Sequence, residues 1–459
     1  MDIVAALIDA VGDDCVRTAD AIDPRRLGDF MVACDAADGP VAVALPRNTA
    51  AVSSVLRLCN RANVAVVPQG GMTGMAGGGT PIRGCVALSL ERMNAIEEVD
   101  TDGATMTVQA GVPLQTVQEA AEAAGLFYPL DLGGRGSCLI GGNASTNAGG
   151  NRVVRYGMTR DLVLGVEAVL ADGTVIPALN RMIKNNTGYD IKHLFLGSEG
   201  TLGVITRLVL RLFPRPASQA TALCALTDFP QVLALLRLAR ERLGGTLSAF
   251  EAMWPEFYAL VEKATGRPAP LAPGHGLYVL LETMGTDQGA DQERFEAVIA
   301  AALEKGIVAD ALIAQSLAQT RAMWTIRDSS GEFPRTFWPH EGFDVSVPIG
   351  RIGDFVAAVK ARLRARWPDA QVVTFGHVAD GNIHFAVRVD ERPLPRTAIE
   401  QTVYAVVRDW HGSISAEHGI GSVKRGFLEY SRSASELALM RTLKAAMDPN
   451  GILNPGKVL

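Results

Sequence analysis

Two glycine-rich blocks set the strongest limit on how this chain can fold. One runs from Pro68 to Gly79 as PQGGMTGMAGGG, the other from Gly133 to Gly150 as GGRGSCLIGGNASTNAGG. A glycine inside a helix or strand costs roughly 0.5–1 kcal/mol relative to alanine, so runs this dense belong to loops. The first block follows an apolar β-type run, Val64-Ala65-Val66-Val67, and precedes another from Cys85 to Leu90. Successive backbone N–H groups in such a loop form a nest that can hold pyrophosphate oxygens. The block has no G-x-x-x-x-G-K-[ST] pattern and no G-x-G-x-x-G opening a helix, which excludes the common nucleotide loops. Taken singly, either block reads equally well as a solvent-facing loop. Together, mixing Gly with Thr, Ser and Asn, they point to one large phosphate-bearing ligand approached by bare backbone. Glycine makes up 47 of the 459 residues, above the usual share of about 7%.

The pattern around the blocks is α+β. The first region holds a strand at Val41 to Leu45, a helix from Asn48 or Thr49 to about Asn60, and a hairpin over Ile96 to Gln109 around Asp102-Gly103. A helix bracketed by Pro113 and Gly125 and a second hairpin from Leu162 to Ile176 around Asp172-Gly173 complete it. A long strand pattern from Leu202 ends at Phe213, and Pro214-Arg215-Pro216 marks the clearest boundary. Beyond it, strands near 219–226 and 276–282 alternate with helices near 230–243, 288–305, 351–367 and 396–410. That predicts an antiparallel sheet with helices on one side. The Gly- and Pro-punctuated tail from Met447 to Leu459 is expected to order against the first region.

The net charge of −6, with no dense basic patch, removes nucleic acid from the expected partners. Cysteines at 15, 34, 59, 85, 138 and 224 form no C-x-x-C pair and fit a reducing compartment better than a disulfide framework. The opening MDIVAALIDAVGDDC lacks the basic start of a signal peptide, and no apolar run approaches the roughly 18 residues of a membrane span. A cytoplasmic location is expected, with peripheral membrane association left open.

Two of the seven histidines fall in one short stretch, GHVADGNIHF at 376–385. Asp380-Gly381 between apolar runs is a two-residue hairpin signal. With that turn at the centre, His377 pairs with His384, and directly opposed residues share a face with Cβ atoms about 5 Å apart. The residues alone leave two readings open: paired imidazoles for one ion, or two solvated histidines on a surface hairpin.

Six blocks occur in fixed order: PQGGMTGMAGG, SCLIGGNASTNAGG, KNNTGYDIKHLFLGSEGTLGVIT, GHVADGNIHF, AEHGIG and DPNGILNPGKVL. In this order, over nearly the whole chain from about residue 40, they resemble the FAD-linked 2-hydroxy-acid dehydrogenases. That family includes D-lactate, glycolate-oxidase-subunit and D-2-hydroxyglutarate dehydrogenases, within the vanillyl-alcohol oxidase superfamily. The resemblance implies a two-lobed FAD-binding domain at 1–215, an antiparallel-sheet-and-helix substrate domain at 216–410, and a segment at 411–459 that returns to the FAD domain. It places Pro68, Gly70, Gly71, Met72, Thr73 and Gly74 around FAD, with Gly70, Gly71, Thr73 and Gly74 on the pyrophosphate. Ser137, Gly141, Gly142, Asn143, Thr146 and Asn454 are its further cofactor-binding positions. The 68–79 loop carries no His or Cys, so a dissociable FAD is expected, with Cys138 the nearby thiol to watch.

The same resemblance implies a divalent-metal site, zinc or manganese, made by His377, His384 and Glu417. Two imidazoles and a carboxylate suit such an ion and leave positions open for substrate. Oxidising a 2-hydroxy acid removes a hydroxyl proton and a hydride. A metal can lower the pKa of bound water from 15.7 to about 7, and a chelated hydroxyl should respond similarly. His418 matches the family's general base, with a structural hydrogen bond behind Glu417 as the plainer reading. Arg327, in a W-x-x-R segment, matches the group that binds the substrate carboxylate, with an ordinary surface salt bridge as the plainer reading.

The chain departs from the D-2-hydroxyglutarate pattern at three positions, where Gly331, Gly342 and Ala386 replace polar residues. The clamp for a distal carboxylate is therefore expected to be missing, and a mono-carboxylate such as D-lactate or a bulkier apolar acid is favoured. Phe333, Phe337 and Trp338 are candidates for an apolar pocket, with core packing the plainer reading. Two alternatives keep the fold and change the function: a non-catalytic electron-transfer flavoprotein subunit, and an FAD-dependent ether-forming transferase. The electron acceptor (quinone, cytochrome, electron-transfer flavoprotein or dioxygen) and a homodimeric state stay open.

Overall fold

A computed structural model describes residues 2–266 and 269–459. The chain forms two compact units. The first comprises Met1–Gly150, Gly157–Arg215 and Glu417–Leu459; the second comprises Asn151–Tyr156 and Pro216–Ala416. The last crossing thus falls at Ala416–Glu417 rather than at residue 411, and the six residues Asn151–Tyr156 leave the first unit, an excursion that no composition change announces.

The first unit carries two sheets. The smaller has the order β1-β2-β4-β3, from Val16–Arg17, Ala42–Ala44, Val66–Gln69 (β3) and Val86–Ser89 (β4). β2, β4 and β3 run parallel, which suits their continuous apolar sequences because parallel strands are covered on both faces. The helix Thr49–Ala62 makes the crossover, capped by Asn48, whose side-chain oxygen accepts the Ala51 N–H at 2.9 Å. The tail extends this sheet: Leu453 bridges Val66 in parallel, and the Asn454 N–H donates to the Val66 carbonyl at 2.8 Å. The second sheet is antiparallel, ordered β5-β6-β9-β7-β8 from Ile96–Asp100, Thr105–Gln109, Val163–Val169, Val175–Ala178 and Val204–Arg211. Its first hairpin turns at Asp102-Gly103, where one Asp100 oxygen accepts both N–H groups.

The second unit is built on seven antiparallel strands in the order β13-β10-β12-β11-β15-β16-β14. These are Ser218–Leu226 (β10), Leu247–Met253 (β11), Leu277–Gly285 (β12), Asp310–Ile313 (β13), Glu341–Ser346 (β14), Gln371–His377 (β15) and Asn382–Arg388 (β16). Helices cover both faces, not the one expected. Phe229–Leu243, Gln288–Glu304, Ile352–Arg366 and Arg396–Asp409 pack on one, with Phe355 against Phe385 and Tyr404 against Phe343. The other is covered by Pro255–Thr265, Leu317–Asp328 and the short turn Phe333–Thr336. Their Phe257, Met323, Phe333 and Phe337 join Leu223, Met253, Tyr278 and Phe375 of the sheet in one core. The sequence signal for this layer is weak because its helices are short and carry polar residues, Glu256 and Arg327 among them. No helix among the described residues is long and apolar enough to cross a membrane, and all six cysteines are free.

Candidate active site

In the first unit the two glycine blocks face one another across a cavity of ≈ 390 Å³. A Cβ added to Gly70 would lie 3.5 Å from the Gly142 Cα, so nothing but backbone separates the blocks there. Of the predicted cofactor positions, Pro68, Gly70, Gly71, Met72, Thr73, Gly74, Gly141, Gly142, Asn143 and Thr146 line this cavity, as do Glu417 and His418. Ser137 and Asn454 do not line it. Ser137 instead packs its carbonyl under Gly71, where a Cβ would come within 2.0 Å of that oxygen. Asn454 ties the loops together, donating to the carbonyls of Gly78 and Glu199 at 3.0 and 2.7 Å.

Three supports of this cavity escaped the sequence reading. Asp29, itself on the cavity wall, accepts the Gly77 N–H at 2.6 Å and holds the glycine loop. Buried Arg26 donates to the Gly70 carbonyl at 3.3 Å. Glu199, at a positive φ of 53°, accepts the N–H groups of Ile420 and Gly421 at 2.7 and 2.8 Å and so fixes the turn that follows His418. Burial pushes the Glu199 carboxyl up, against the pull of those amides and nearby lysines. The GSEG turn carries the signal, since an acid amid glycines suggests a carboxylate capping backbone amides.

A flavin dinucleotide fits this cavity. Its walls offer side-chain-free backbone where pyrophosphate would lie, and the buried Asn143 Oδ1 on its wall has no hydrogen-bond partner within the protein. Cys138 is also on the wall, but burial pushes its thiol up, which disfavours the thiolate that a covalent flavin bond requires.

In the second unit the hairpin register differs from expectation. Phe375, not His377, lies opposite His384, and Val378–Gly381 forms a four-residue loop with Gly381 at φ 92°. The slip relative to the predicted pairing is two residues. Side chains alternate with period two, so both histidines keep the same face and are diagonal neighbours. Their ring centroids are 5.4 Å apart.

Each ring is backed by a carboxylate from the next strand. His377 lies opposite Glu251 in register, with Nδ1 2.6 Å from Oε1. His384 lies opposite Asp344, with Nδ1 3.8 Å from Oδ1. Arg327 is buried, 5% exposed, and is no surface ion pair: its Nε donates to Glu251 Oε2 at 2.6 Å and its guanidinium stacks over Phe375 at 5.1 Å. Its Nη2 lies 3.2 Å from His377 Nε2. A guanidinium only donates, so Nε2 accepts and the ring proton is on Nδ1. Burial works against the Glu251 charge, but His377 and Arg327 outweigh it and hold the carboxyl at about 2. Asp344 is fully buried and also accepts from Asn382 at 2.9 Å and from the Ala416 N–H at 3.1 Å. It thereby anchors the segment whose next residue is Glu417. Neither acid was singled out in the sequence, although each stands in an apolar strand, LSAFEAM and EGFDVSV, where an isolated acid signals a buried partner.

Two imidazoles with carboxylates behind them have the outer arrangement of metal-bound histidines, where such partners fix the tautomer and orient the lone pair. The donor set fits a divalent ion. Phe333 and Phe337 belong to the core, whereas Trp338 is 60% exposed.

Comparison with known proteins agrees with both halves. Residues 40–178 match the FAD binding domain family, and residues 215–458 match the FAD linked oxidases, C-terminal domain. The chain is 42% identical over 417 residues to the mitochondrial D-2-hydroxyglutarate dehydrogenase of Bos taurus, covering 90% of this chain and 76% of that protein. The chain belongs to the FAD-linked D-2-hydroxy-acid dehydrogenases. These are oxidoreductases that act on CH–OH groups. Another relative is the D-2-hydroxyglutarate dehydrogenase of Xanthomonas citri pv. viticola, 40% identical over 425 residues, covering 91% and 89% of the two chains. A Schizosaccharomyces pombe mitochondrial protein provisionally named a D-lactate dehydrogenase is 40% identical over 423 residues, covering 90% and 80%. Among solved structures, p-cresol methylhydroxylase with substrate bound has a TM-score of 0.78 at 18% identity, covering 99% and 96% of the chains. A 4-ethylphenol oxidase from Gulosibacter chungangensis has a TM-score of 0.75 at 18% identity, covering 100% and 96%. For this dehydrogenase those two likenesses establish the vanillyl-alcohol oxidase fold.

Proposed function

We propose that this dehydrogenase oxidises a D-2-hydroxy mono-carboxylate to the 2-oxo acid with help from a divalent ion, zinc or manganese. The observation that carries the reading is the buried cluster of Arg327, His377 and His384 on one sheet face, each histidine backed by a carboxylate. The 68–74 segment and the helix Ile140–Thr146 would hold FAD without a covalent bond, and FAD would supply the acceptor for the hydride. His377, His384 and Glu417 would hold the ion, whose Lewis acidity would lower the pKa of the substrate hydroxyl. His418 takes the hydroxyl proton, and Glu199, through the following turn, fixes where that ring can point. Arg327 binds the substrate carboxylate with the N–H groups left after Glu251 and His377 are served. Proton and hydride leave from adjacent atoms, so the hydroxyl oxygen and α carbon become the ketone with no atom added.

The preference for a mono-carboxylate rests on Gly342 and Ala386, an opposed pair on the His384 face. Neither has a side-chain hydrogen-bonding group. A Cβ at Gly342 would meet nothing within 4 Å, and Ala386 packs with Phe333, Phe337 and Phe375. A distal carboxylate brought there would find no side-chain donor on either residue. The names of the cattle and Xanthomonas relatives point to the diacid, and that of the fission-yeast relative to lactate. The relatives at this identity are dehydrogenases, and neither the ether-forming nor the non-catalytic alternative gains support. Dye-coupled rates with D-lactate, longer apolar D-2-hydroxy acids and D-2-hydroxyglutarate test the reading, before and after chelation. It predicts the highest kcat/KM for a mono-carboxylate, loss of flavin bleaching on chelation, and recovery with zinc or manganese. The highest kcat/KM for 2-hydroxyglutarate overturns the substrate preference. Full turnover without divalent ions overturns the metal.

A further inference from the structure

We propose that Glu251 is a positioning residue that ties carboxylate binding at Arg327 to ion binding at His377. Resting on the ion reading above, it adds a residue that no sequence motif marks.

Glu251 comes from the middle of β11, and its side chain is 1% exposed. A carboxylate that served only to neutralise Arg327 would do so best by pairing both oxygens with the planar guanidinium fork. Glu251 divides them instead. Oε2 takes the Arg327 Nε–H at 2.6 Å, and Oε1 takes the His377 Nδ1–H, also at 2.6 Å. The third side of the triangle is Arg327 Nη2 to His377 Nε2 at 3.2 Å. Two consequences follow from the chemistry of these groups. The Nδ1–H tautomer of His377 is imposed, which leaves Nε2 as the only lone pair that a cation can use. The guanidinium is held by its Nε edge, which leaves its outer N–H groups for a substrate carboxylate. An ion and Arg327 Nη2 cannot both use the Nε2 lone pair, so ion binding returns one N–H to the substrate. One buried carboxylate therefore sets the ring that holds the ion and the fork that holds the acid.

Sheet register makes this arrangement rigid. Glu251 and His377 are opposed residues of paired antiparallel strands, while Arg327 arrives on the helix Leu317–Asp328, one turn after Trp324. Trp324 Nε1 is in turn fixed by the buried Glu282 at 2.8 Å. Small displacements of the helix are resisted at two points, Trp324 and Arg327, each held by a buried acid.

Glu251→Gln tests the proposal, because the amide keeps the shape and one acceptor but cannot accept from both partners. Three measurements on the full-length FAD-loaded protein are needed. Nitrogen NMR of histidine-labelled, metal-free protein, assigned with His377→Gln, should show one tautomer in the wild type and a mixture in E251Q. Calorimetric affinity for zinc chloride or manganese chloride should fall about 10–100-fold. At saturating zinc, KM for D-lactate should stay raised at least about tenfold while kcat recovers. If E251Q fails to fold, the double variant E251Q/R327M, which removes both buried charges, keeps the tautomer and ion measurements. E251Q with wild-type tautomer and wild-type ion affinity, and only a lower melting temperature, overturns the proposal and leaves the ion reading standing. A wild-type protein that binds neither ion overturns both.

Discussion

The glycine blocks yield a prediction in which two neighbouring substitutions behave oppositely. Gly70 and Gly71 both have φ values open to alanine, so only space decides. At Gly71 an added Cβ would lie 2.0 Å from the Ser137 carbonyl oxygen and 2.9 Å from the Cys138 Cα, whereas ordinary contact begins at 3.4 Å. The obstacles are backbone, and the Cys138 carbonyl is already engaged by the Leu114 N–H at 3.0 Å. The loops must therefore part by more than an ångström. Overpacking of this kind costs about 1–3 kcal/mol, and a strained or lost backbone hydrogen bond adds about 1 kcal/mol. Gly71→Ala should lower the melting temperature of flavin-free protein by roughly 5–10 °C. At Gly70 the same methyl would meet the Gly142 Cα at 3.5 Å, a normal contact, but it would project into the cavity between the blocks. Gly70→Ala should leave flavin-free stability unchanged or raise it by about 0.4–1 kcal/mol through the unfolded chain. It should weaken FAD binding about 10–100-fold, or about 1.4–2.8 kcal/mol. Thermal scans with and without FAD, together with flavin fluorescence titration, separate the two effects. Wild-type FAD affinity in Gly70→Ala, or equal loss of flavin-free stability in both variants, would refute the assignment of these loops.

Further outcomes can be checked singly. Arg327→Lys should reduce kcat/KM for D-lactate about 100-fold or more, because a point charge cannot reproduce the fork held between Glu251 and the substrate; steady-state dye reduction measures this. Arg327→Met should in addition cost about 3–5 kcal/mol of stability, seen in urea midpoints, because the Glu251 charge is left buried and unpaired. Glu251 also sets a pH window. Its carboxyl is held at about 2 against an ordinary value of 4.5, so its contribution is complete above pH 4.5 and is lost as the pH falls toward 2. The urea midpoint of the wild type should fall across this window more steeply than that of Glu251→Gln. Gly381→Ala should cost about 1–3 kcal/mol, because φ is 92° and a Cβ would come within 2.8 Å of the Val347 carbonyl; thermal unfolding reads it.

The sequence by itself determined the local grammar of this protein. Glycine density marked residues 70–79 as a loop, Asn48 and Pro113 opened their helices, and Asp100 to Gly103 turned its hairpin, because each depends on conformational cost within a few residues; the 133–150 block departs from the loop expectation, since Ile140–Thr146 forms a short helix despite Gly141 and Gly142. It also determined that His377 and His384 share a face, since a slip of two along a strand preserves the side on which a residue points. What only the tertiary structure decided was who stands behind them. Glu251 and Asp344 are 126 and 40 residues distant from the histidines they support, and they meet them through strand order and register, which no local pattern encodes. The same holds for Glu199 on the turn after His418 and for Ser137 and Asn454, which brace the cavity from outside. A chain's preference for loop or strand is a property of neighbours in sequence, whereas the partner of a buried charge is chosen by whichever segments the whole fold brings across the sheet.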